Sequence, residues 1–193
     1  MLRQGVIGGL AILALVAMSG SQAQSSSGGA SSGGAAPAAG AAPAAGALDF
    51  KTMTPVQVEA AAPKDSLKNP YADTDTDLVE QGHKLFFNFS CNGCHGGNGG
   101  GGMCPPLIND IWVYGGDDDT LFRLVTLGSQ ALQAKGYVRR GHENVVGPMP
   151  PFGTLIPTAD DLWKILAFIR SAYHGDPKYK YGSPPPPPPP PDE

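Results

Sequence analysis

Five consecutive residues, Cys91-Asn92-Gly93-Cys94-His95, restrict what this chain can fold into more than any other feature. They contain two cysteines with two residues between them, and a histidine follows the second cysteine directly. A group of this kind binds a metal ion, works as a redox pair or attaches a prosthetic group covalently. The chain has 193 residues and three cysteines, the third being Cys104. A small fold therefore has to be organised around the pentapeptide.

The spacing within the pentapeptide favours covalent attachment of haem. Each of its cysteines can form a thioether with one of the two haem vinyl groups, and the adjacent His95 is then held against the iron as its proximal ligand. A zinc site that includes Cys104 is an alternative, but the second C-x2-C pair of a zinc ribbon is missing. A thioredoxin-like redox pair is another, and it lacks a β-α-β context. We therefore predict one haem c, attached through Cys91 and Cys94.

A six-coordinate electron-transfer haem needs a second axial ligand, and Met149 is the best candidate. It lies in the rigid loop Gly147–Pro151, 54 residues after His95, which lets the chain cross to the far face of the porphyrin. Histidine with methionine is a known electron-transfer ligand pair. Met103 is only eight residues after His95, so the chain would have to wrap around the porphyrin within that short distance to place it on the far face. His142 is the runner-up for this position.

Residues 1–23 have the three parts of a secretory signal peptide. Arg3 precedes the apolar run Val6–Met18, and Ser21-Gln22-Ala23 supplies small residues at a cleavage site. The 13 apolar residues cover about 20 Å, less than the ~30 Å hydrocarbon core of a membrane, so a membrane anchor is the weaker interpretation. We expect cleavage after Ala23 and export to the periplasm. In that oxidising compartment cysteines commonly pair in disulfides, and an odd number of them indicates that they have another role.

The charged residues mark out a single folded domain over residues 49–182. Residues 24–48 form an uncharged spacer rich in Ala, Gly, Ser and Pro, and residues 183–193 contain eight consecutive prolines. The domain holds 12 of the 13 basic residues and 15 of the 17 acidic ones, so its net charge is −3. That charge argues against nucleic-acid binding and offers no polybasic patch for a membrane surface.

Three segments of the domain have apolar residues at spacings of three and four, which predicts amphipathic helices. They cover about 77–89, 118–127 and 158–173, and Gly128 follows the end of the second. Asp75 and its neighbours are N-cap candidates for the first helix, and Thr158 with Asp161 resembles a capping box for the last. No segment alternates with period two, so the predicted class is all-α. Three short helices with long loops bury little apolar surface, and a prosthetic group would supply more.

Several further residues near the pentapeptide have two interpretations each. Trp112 and Tyr114 either donate hydrogen bonds to haem propionates or pack as core aromatics. Cys104 is either a buried free thiol or a link between two chains. The glycine-rich run Gly96–Gly102 contains a formal G-x-G-x-x-G pattern, but it does not follow a strand, so we do not expect a dinucleotide site.

Taken together, these residues resemble a class I monohaem cytochrome c. The resemblance rests on Gly82-x-x-x-Phe86 in the first helix, on Cys91–His95, on the step Pro105–Leu107 and on the Met149 loop before the last helix. It covers residues 70–180. It implies a fold of three or more short helices and long loops around one covalently bound haem.

The resemblance also implies particular contacts. The first and last helices of that family cross at the glycine and the aromatic residue, which would bring Gly82 and Phe86 against Ile169 or Tyr173. A proline carbonyl accepts a hydrogen bond from the proximal histidine, and Pro105 is the candidate here. Pro105, Trp112 and Tyr114 are therefore expected to line the haem pocket.

Four stretches are similar to a narrower group, the cytochromes c-L that take electrons from quinoprotein methanol dehydrogenases. They are Cys91–Gly96, Leu107–Tyr114, Gly147–Pro150 and Tyr173–Lys178. This similarity implies a periplasmic electron carrier rather than an enzyme. Its donor would be a PQQ-type dehydrogenase, and its acceptor another cytochrome or an oxidase. A haem enzyme or gas sensor with an open distal site is the alternative function.

Overall fold

Helices make up the regular structure of the described part of the chain. This computed structural model describes residues 48–109, 111–141 and 147–182. Its elements are α1 (Pro55–Ala61), α2 (Thr76–Asn88), α3 (Cys91–His95), α4 (Asp118–Ala134) and α5 (Ala159–Ser171), followed by a 3₁₀ turn at Pro177–Tyr179. No strand occurs in these three ranges. The all-α prediction is confirmed.

Several predictions concern residues outside the described ranges. These are the signal peptide at 1–23, the spacer at 24–48 apart from Leu48, the tail at 183–193 and the alternative ligand His142. Within the described ranges, no helix combines the length and apolar character needed to cross a membrane.

Two of the three predicted helices, α2 and α5, begin where the capping patterns indicated. The side chain of Asp75 accepts a hydrogen bond from the amide of Leu78 at 3.2 Å, which caps α2. The hydroxyl of Thr158 accepts one from the amide of Asp161 at 3.1 Å, which caps α5. Such caps satisfy amide groups that have no partner inside the helix.

The central contact of the fold is the crossing of α2 and α5 at Gly82. A Cβ atom at Gly82 would overlap the carbonyl oxygen of Lys164 and would lie 3.1 Å from Cβ of Phe168. The ring of Phe86, one turn later, lies 5.2 Å from the ring of Phe168. The expected pair of helices is therefore correct, but Gly82 meets Lys164 and Phe168 rather than Ile169 or Tyr173. The backbones approach so closely because the glycine has no side chain.

Helix α4 is longer than predicted and is interrupted within its length. It continues to Ala134, with a break at Gly128, whose φ is +76°. The break frees backbone groups that a regular helix would pair with each other. The amide of Ser129 donates to the carbonyl of Met149 at 3.0 Å, and the carbonyl of Val125 accepts from Phe152 at 2.9 Å. The loop that carries Met149 is thus hydrogen-bonded into the break.

Helix α1 has no counterpart among the predictions. It begins with a capping box, in which the amide of Gln57 donates to the hydroxyl of Thr54 at 3.3 Å and the amide of Thr54 donates to the side chain of Gln57 at 2.8 Å. Pro55 occupies its first turn, where a missing amide hydrogen costs nothing. Its seven residues are too few to show an apolar periodicity.

Candidate haem site

A large apolar cavity lies between the helices and the loop after α3. The empty space between its lining residues, open solvent included, is about 970 Å³. Helices α2, α4 and α5 contribute Phe86, Leu121, Ile165 and similar side chains. The core therefore leaves room for a large apolar group, as the short helices had suggested.

His95 lies at this cavity, and one nitrogen of its ring is held by the backbone. Nδ1 of His95 is 2.9 Å from the carbonyl oxygen of Pro105. A carbonyl can only accept, so Nδ1 carries the hydrogen and Nε2 keeps its lone pair. Burial lowers the pKa of His95, while the bond to Pro105 acts in the opposite direction. A neutral imidazole with a fixed tautomer is the form that binds a metal ion.

The two cysteines of the pentapeptide lie three residues apart on the short helix α3. The thiol of Cys91 lies at the cavity, and burial raises its pKa to about 11. Cys94 interacts through its side chain with Cys104, and that contact, after burial, helps to raise the pKa of Cys104 to about 11. All three cysteines are free thiols in the structure. Thioethers to a group in the cavity would therefore form from unpaired sulfurs.

Met149 also lines the cavity, although it comes from a distant part of the sequence. Its loop is fixed at the break in α4, where a Cβ atom at Gly128 would lie only 2.7 Å from the carbonyl oxygen of Met149. Met103, by contrast, is 77% exposed. Nε2 of His83, another possible ligand, donates a hydrogen bond to the carbonyl of Gly97 at 3.0 Å, and the ring stacks on Phe168. Among the candidate ligands that the structure describes, Met149 is the one that shares the cavity with His95.

Trp112 and Tyr114 both line the cavity and are buried, with 6% and 7% exposure. The indole nitrogen of Trp112 donates to the carbonyl of Leu107 at 2.6 Å, so its hydrogen is already used. The hydroxyl of Tyr114 accepts a hydrogen bond from Gln133 at 2.7 Å and keeps its own hydrogen to donate. Of the two aromatic residues, Tyr114 is the one equipped to donate to a polar group of a bound cofactor.

The structure thus brings together six of the seven predicted site residues at one cavity. They are Cys91, His95, Pro105, Trp112, Tyr114 and Met149. The seventh, Cys94, follows Cys91 by one helical turn on α3. Sequence reasoning missed Ser129 and Gln133, because it ended the helix at Gly128 and both residues lie beyond that point.

The alternative metal site finds no support in the geometry. Among the residues at 48–109, 111–141 and 147–182, no three His, Cys, Asp or Glu side chains are grouped so that they could hold a metal ion. The redox-pair alternative requires a neighbouring strand, and the described part of the chain has none.

A family model described as "Cytochrome c" matches residues 79–172. This part of the chain is similar to a cytochrome c domain. The match begins within α2 and ends directly after α5, so it includes every helix that lines the cavity. The resemblance to a class I cytochrome c is confirmed at the level of the family and the fold.

Two known proteins are similar to the chain. A Cbb3-type cytochrome c oxidase subunit CcoP from Azospirillum brasilense is 37% identical over 62 residues, which are 28% of this chain and 21% of that protein. The chain thus spans about a fifth of the length of this relative. The crystal structure of cytochrome CL from the marine methylotrophic bacterium Methylophaga aminisulfidivorans is 28% identical, with a TM-score of 0.40, and the match covers 53% of this chain and 58% of that one.

A cytochrome c domain implies a covalently bound haem c, and the residues at the cavity fit this group. The cavity is apolar and large, Nε2 of His95 is left with a free lone pair, and α3 carries two unpaired thiols. The chain therefore has both the space and the donor atoms that haem c requires.

Proposed function

We propose that the chain is a monohaem electron carrier of the periplasm, and not an enzyme. The observation that carries this proposal is the hydrogen bond between His95 and Pro105, at 2.9 Å, on the cavity that Met149 also lines. The cavity therefore has one oriented imidazole, that of His95, and one thioether sulfur, that of Met149. A haem with both axial positions filled has no open position for oxygen or a substrate.

In this proposal each site residue has a distinct role toward one haem. Cys91 and Cys94 hold it covalently, which prevents its loss from an exported protein. His95, through Nε2, and Met149, through its sulfur, are the residues that would hold its iron. Haem c supplies reversible one-electron exchange when it is bound. Methionine sulfur and the apolar lining favour ferrous iron and keep water away, so the reduction potential is expected to be positive.

The donor and the acceptor follow from sequence similarity. The four stretches that are similar to cytochromes c-L support a PQQ-type alcohol dehydrogenase, with methanol as its substrate, as the donor. The similarity to an oxidase subunit supports an oxidase or another cytochrome as the acceptor. Residues 1–23 support export through a cleaved signal peptide. No nucleic acid and no membrane span of the mature chain form part of this function.

Optical spectra of the oxidised and reduced holoprotein test the ligands. Wild type is expected to have the weak far-red charge-transfer band of methionine sulfur on ferric iron, and Met149→Ala is expected to lose it. Met103→Ala is the matched control, because Met103 is 77% exposed, and it should keep the band. A wild type without the band, or a Met149→Ala protein that retains it, would remove Met149 from the iron.

Carbon monoxide separates the carrier from a haem enzyme or gas sensor. The reduced wild type should bind it slowly or not at all, because the distal position is filled, while Met149→Ala should bind it rapidly and stoichiometrically. Fast binding to the wild type would contradict the carrier function.

The donor is tested by mixing the oxidised protein with a PQQ methanol dehydrogenase and methanol, and by following haem reduction at increasing salt. Reduction no faster than without enzyme would exclude this donor.

A further inference from the structure

Residues 85–109, which include the two thiols of α3, contain no Asp, Glu, Lys or Arg. Charged residues make up 16% of the whole chain, so a segment of this length would ordinarily contain several. The charged residue that precedes the segment, Lys84, forms an ion pair with Glu80 at 2.7 Å. The net charge of −3 of the domain therefore arises from other parts of the sequence.

Part of this segment forms an apolar surface beside the haem cavity. Phe87 is 44% exposed and Met103 is 77% exposed. The turn after α3 connects them, because a Cβ atom at Gly97 would lie 3.4 Å from the ring of Phe87. We call Phe87, α3 and residues 96–104 the uncharged face. An exposed apolar surface next to a functional site marks a contact with another molecule.

Glycine keeps the uncharged face low over the helix that carries the thiols. Gly93 and Gly100 are exposed, and no atom lies within 4 Å of the Cβ position of either residue. No side chain therefore stands between solvent and the backbone at these two positions. Because electron tunnelling weakens steeply with distance, a surface without side chains lets a second redox centre approach more closely.

The uncharged face is also held in place by hydrogen bonds. Nε2 of His83 on α2 donates to the carbonyl of Gly97 at 3.0 Å. The amide of Gly101 donates to the carbonyl of His95 at 2.8 Å. The turn is thus fixed to both neighbouring helices, so a partner that binds it has little additional ordering to compensate.

The chemistry of the face restricts its partner. A molecule that binds here cannot use ion pairs, so it must present an uncharged apolar surface, and it must carry a redox centre beside that surface. A second copy of this chain meets both conditions. Two identical charged faces repel each other, whereas two identical uncharged faces can meet about a two-fold axis without repulsion. Charges further than about 8 Å from the contact are largely screened at physiological salt.

We propose that two copies of the holoprotein contact each other transiently through their uncharged faces and exchange an electron there. The exchange rests on the proposed function: one electron passes from the reduced copy to the oxidised copy, no atom or proton is transferred, and the two copies interchange oxidation states. Two exposed apolar side chains per copy are too few for a stable dimer, and transient redox contacts bury less than about 1,200 Å².

The second-order rate constant of this exchange is measured by NMR. Oxidised holoprotein labelled with ¹⁵N is mixed with unlabelled reduced holoprotein, and the labelled signals are followed as they change to those of the reduced form. Because the contact contains no charge, we expect the rate constant to change by less than about twofold between about 0.15 and 0.5 M salt.

Charges placed at Gly100 test the position of the contact. Gly100 has room for a side chain, and its backbone lies outside the left-handed region. Gly100→Lys and Gly100→Glu should each exchange with themselves about tenfold more slowly than wild type, because like charges then meet. A mixture of the two variants should exchange faster than either variant alone, because opposite charges meet. Ala60→Lys, on the exposed side of α1, is the control and should keep the wild-type rate, since α1 does not contact α3.

Two outcomes would overturn the proposal. Gly100 variants that exchange as fast as wild type would show that the face is not used. A mixture that is no faster than the separate variants would show that the contact is not made by two identical faces.

Amide shifts of the reduced wild type separate this proposal from the proposed function. If the contact forms, shifts at residues 87–104 should grow with protein concentration, whether or not electrons are exchanged. Such shifts without any electron exchange would overturn the proposed function and support the contact. Slow exchange without these shifts, in a protein that ascorbate reduces normally, would overturn the contact and leave the proposed function in place.

Discussion

At the scale of single residues, Arg123 is the most heavily bonded side chain of the domain. It is 4% exposed, and it donates to the carboxylates of Asp119 at 2.8 Å and Glu59 at 2.7 Å. It also donates to the carbonyls of Ala62 and Pro63, both at 2.9 Å. This one residue therefore connects α1 and the segment after it to α4.

Replacing Arg123 with Met should destabilise the holoprotein by about 3–5 kcal/mol, because the buried carboxylate of Asp119 loses its cationic partner and that of Glu59 keeps only Lys135. Arg123→Lys should restore only part of this loss, since one ammonium group cannot reproduce the fork of a guanidinium. Urea unfolding followed by far-UV circular dichroism measures the effect.

The control for this change is Lys84→Met. Lys84 and Glu80 form a pair 2.7 Å apart, but their side chains are 70% and 65% exposed. Exposed pairs contribute little, so we expect a change below about 0.5 kcal/mol. An Arg123→Met protein that unfolds at the same urea concentration as Lys84→Met would show that the buried network adds no stability.

Asp119 makes the same network sensitive to acid. Burial alone would raise the pKa of Asp119, but hydrogen bonds from Arg123 and Tyr137 outweigh it and lower the pKa below its usual value. The carboxylate of Asp119 therefore binds a proton less tightly in the folded state than in the unfolded state. The resulting stability is complete above the unfolded pKa of about 4 and is lost as the pH falls through the lower folded value.

The Asp119→Asn variant should therefore be less stable than wild type by about 1.5–3 kcal/mol at pH 7, since the hydrogen bonds to a charged group are lost. The difference should shrink as the pH falls below about 4, because wild-type Asp119 then becomes neutral too. Urea unfolding at a series of pH values tests this. A difference that stays constant from neutral to acid pH would contradict it.

At the scale of elements, the break in α4 determines where Met149 lies. Gly128 has a φ of +76°, and a Cβ atom there would approach the carbonyl of Met149 to 2.7 Å and the nitrogen of Pro151 to 2.9 Å. Gly128→Ala should therefore displace the methionine loop. We expect loss of the far-red band and a destabilisation of at least about 2 kcal/mol from backbone strain and overlap.

Gly136→Ala is the matched control for backbone strain. Gly136 has a φ of +84°, but no atom lies within 4 Å of its Cβ position. This variant should lose about 1–2 kcal/mol from the left-handed backbone alone and keep the far-red band. If Gly128→Ala also kept the band, the methionine loop would not depend on the break in α4.

The elements also show how far the sequence predicts this molecule. Periodicity and caps identified α2, α5 and the first part of α4. Each of these begins at a polar N-cap and buries one apolar stripe. The pentapeptide and the rigid proline loop identified His95 and Met149 as cavity residues. Two features escaped prediction, α1 and the part of α4 beyond Gly128. Both depend on tertiary partners, namely the bonds from Arg123 to the α1 region and those from the Met149 loop to the broken helix.

At the scale of the whole molecule, both ends of the described chain are bonded to the helices. At the N-terminal end, the amides of Ala159 and Asp160 donate to the carbonyls of Met53 and Phe50, each at 2.8 Å. These bonds satisfy amides in the first turn of α5 that have no partner inside the helix. The short segment before α1 is therefore part of the fold.

The C-terminal segment 176–182 surrounds a buried arginine. Arg170 is 2% exposed, and it donates to the carbonyl of Lys180 and to Gly116 and Asp118, the last two at 2.6 Å. The amide of Gly116 donates to Gly182 at 2.9 Å. This segment therefore supplies one of the oxygens that compensate the charge of Arg170 and shields that charge from water.

Two truncations test whether the domain ends where these bonds end. A chain that stops after Gly182 should unfold at the wild-type urea concentration, because it keeps every bond to Arg170 and Gly116. A chain that stops after Gly175 should lose about 2–4 kcal/mol, because Arg170 loses the carbonyl of Lys180 and its cover, and the amide of Gly116 loses its acceptor. Arg170→Met in the shorter chain should not recover that loss, because Asp118, 2.6 Å from Arg170, is then left without its cation. Equal stability of the two truncated chains would place the end of the domain before residue 176.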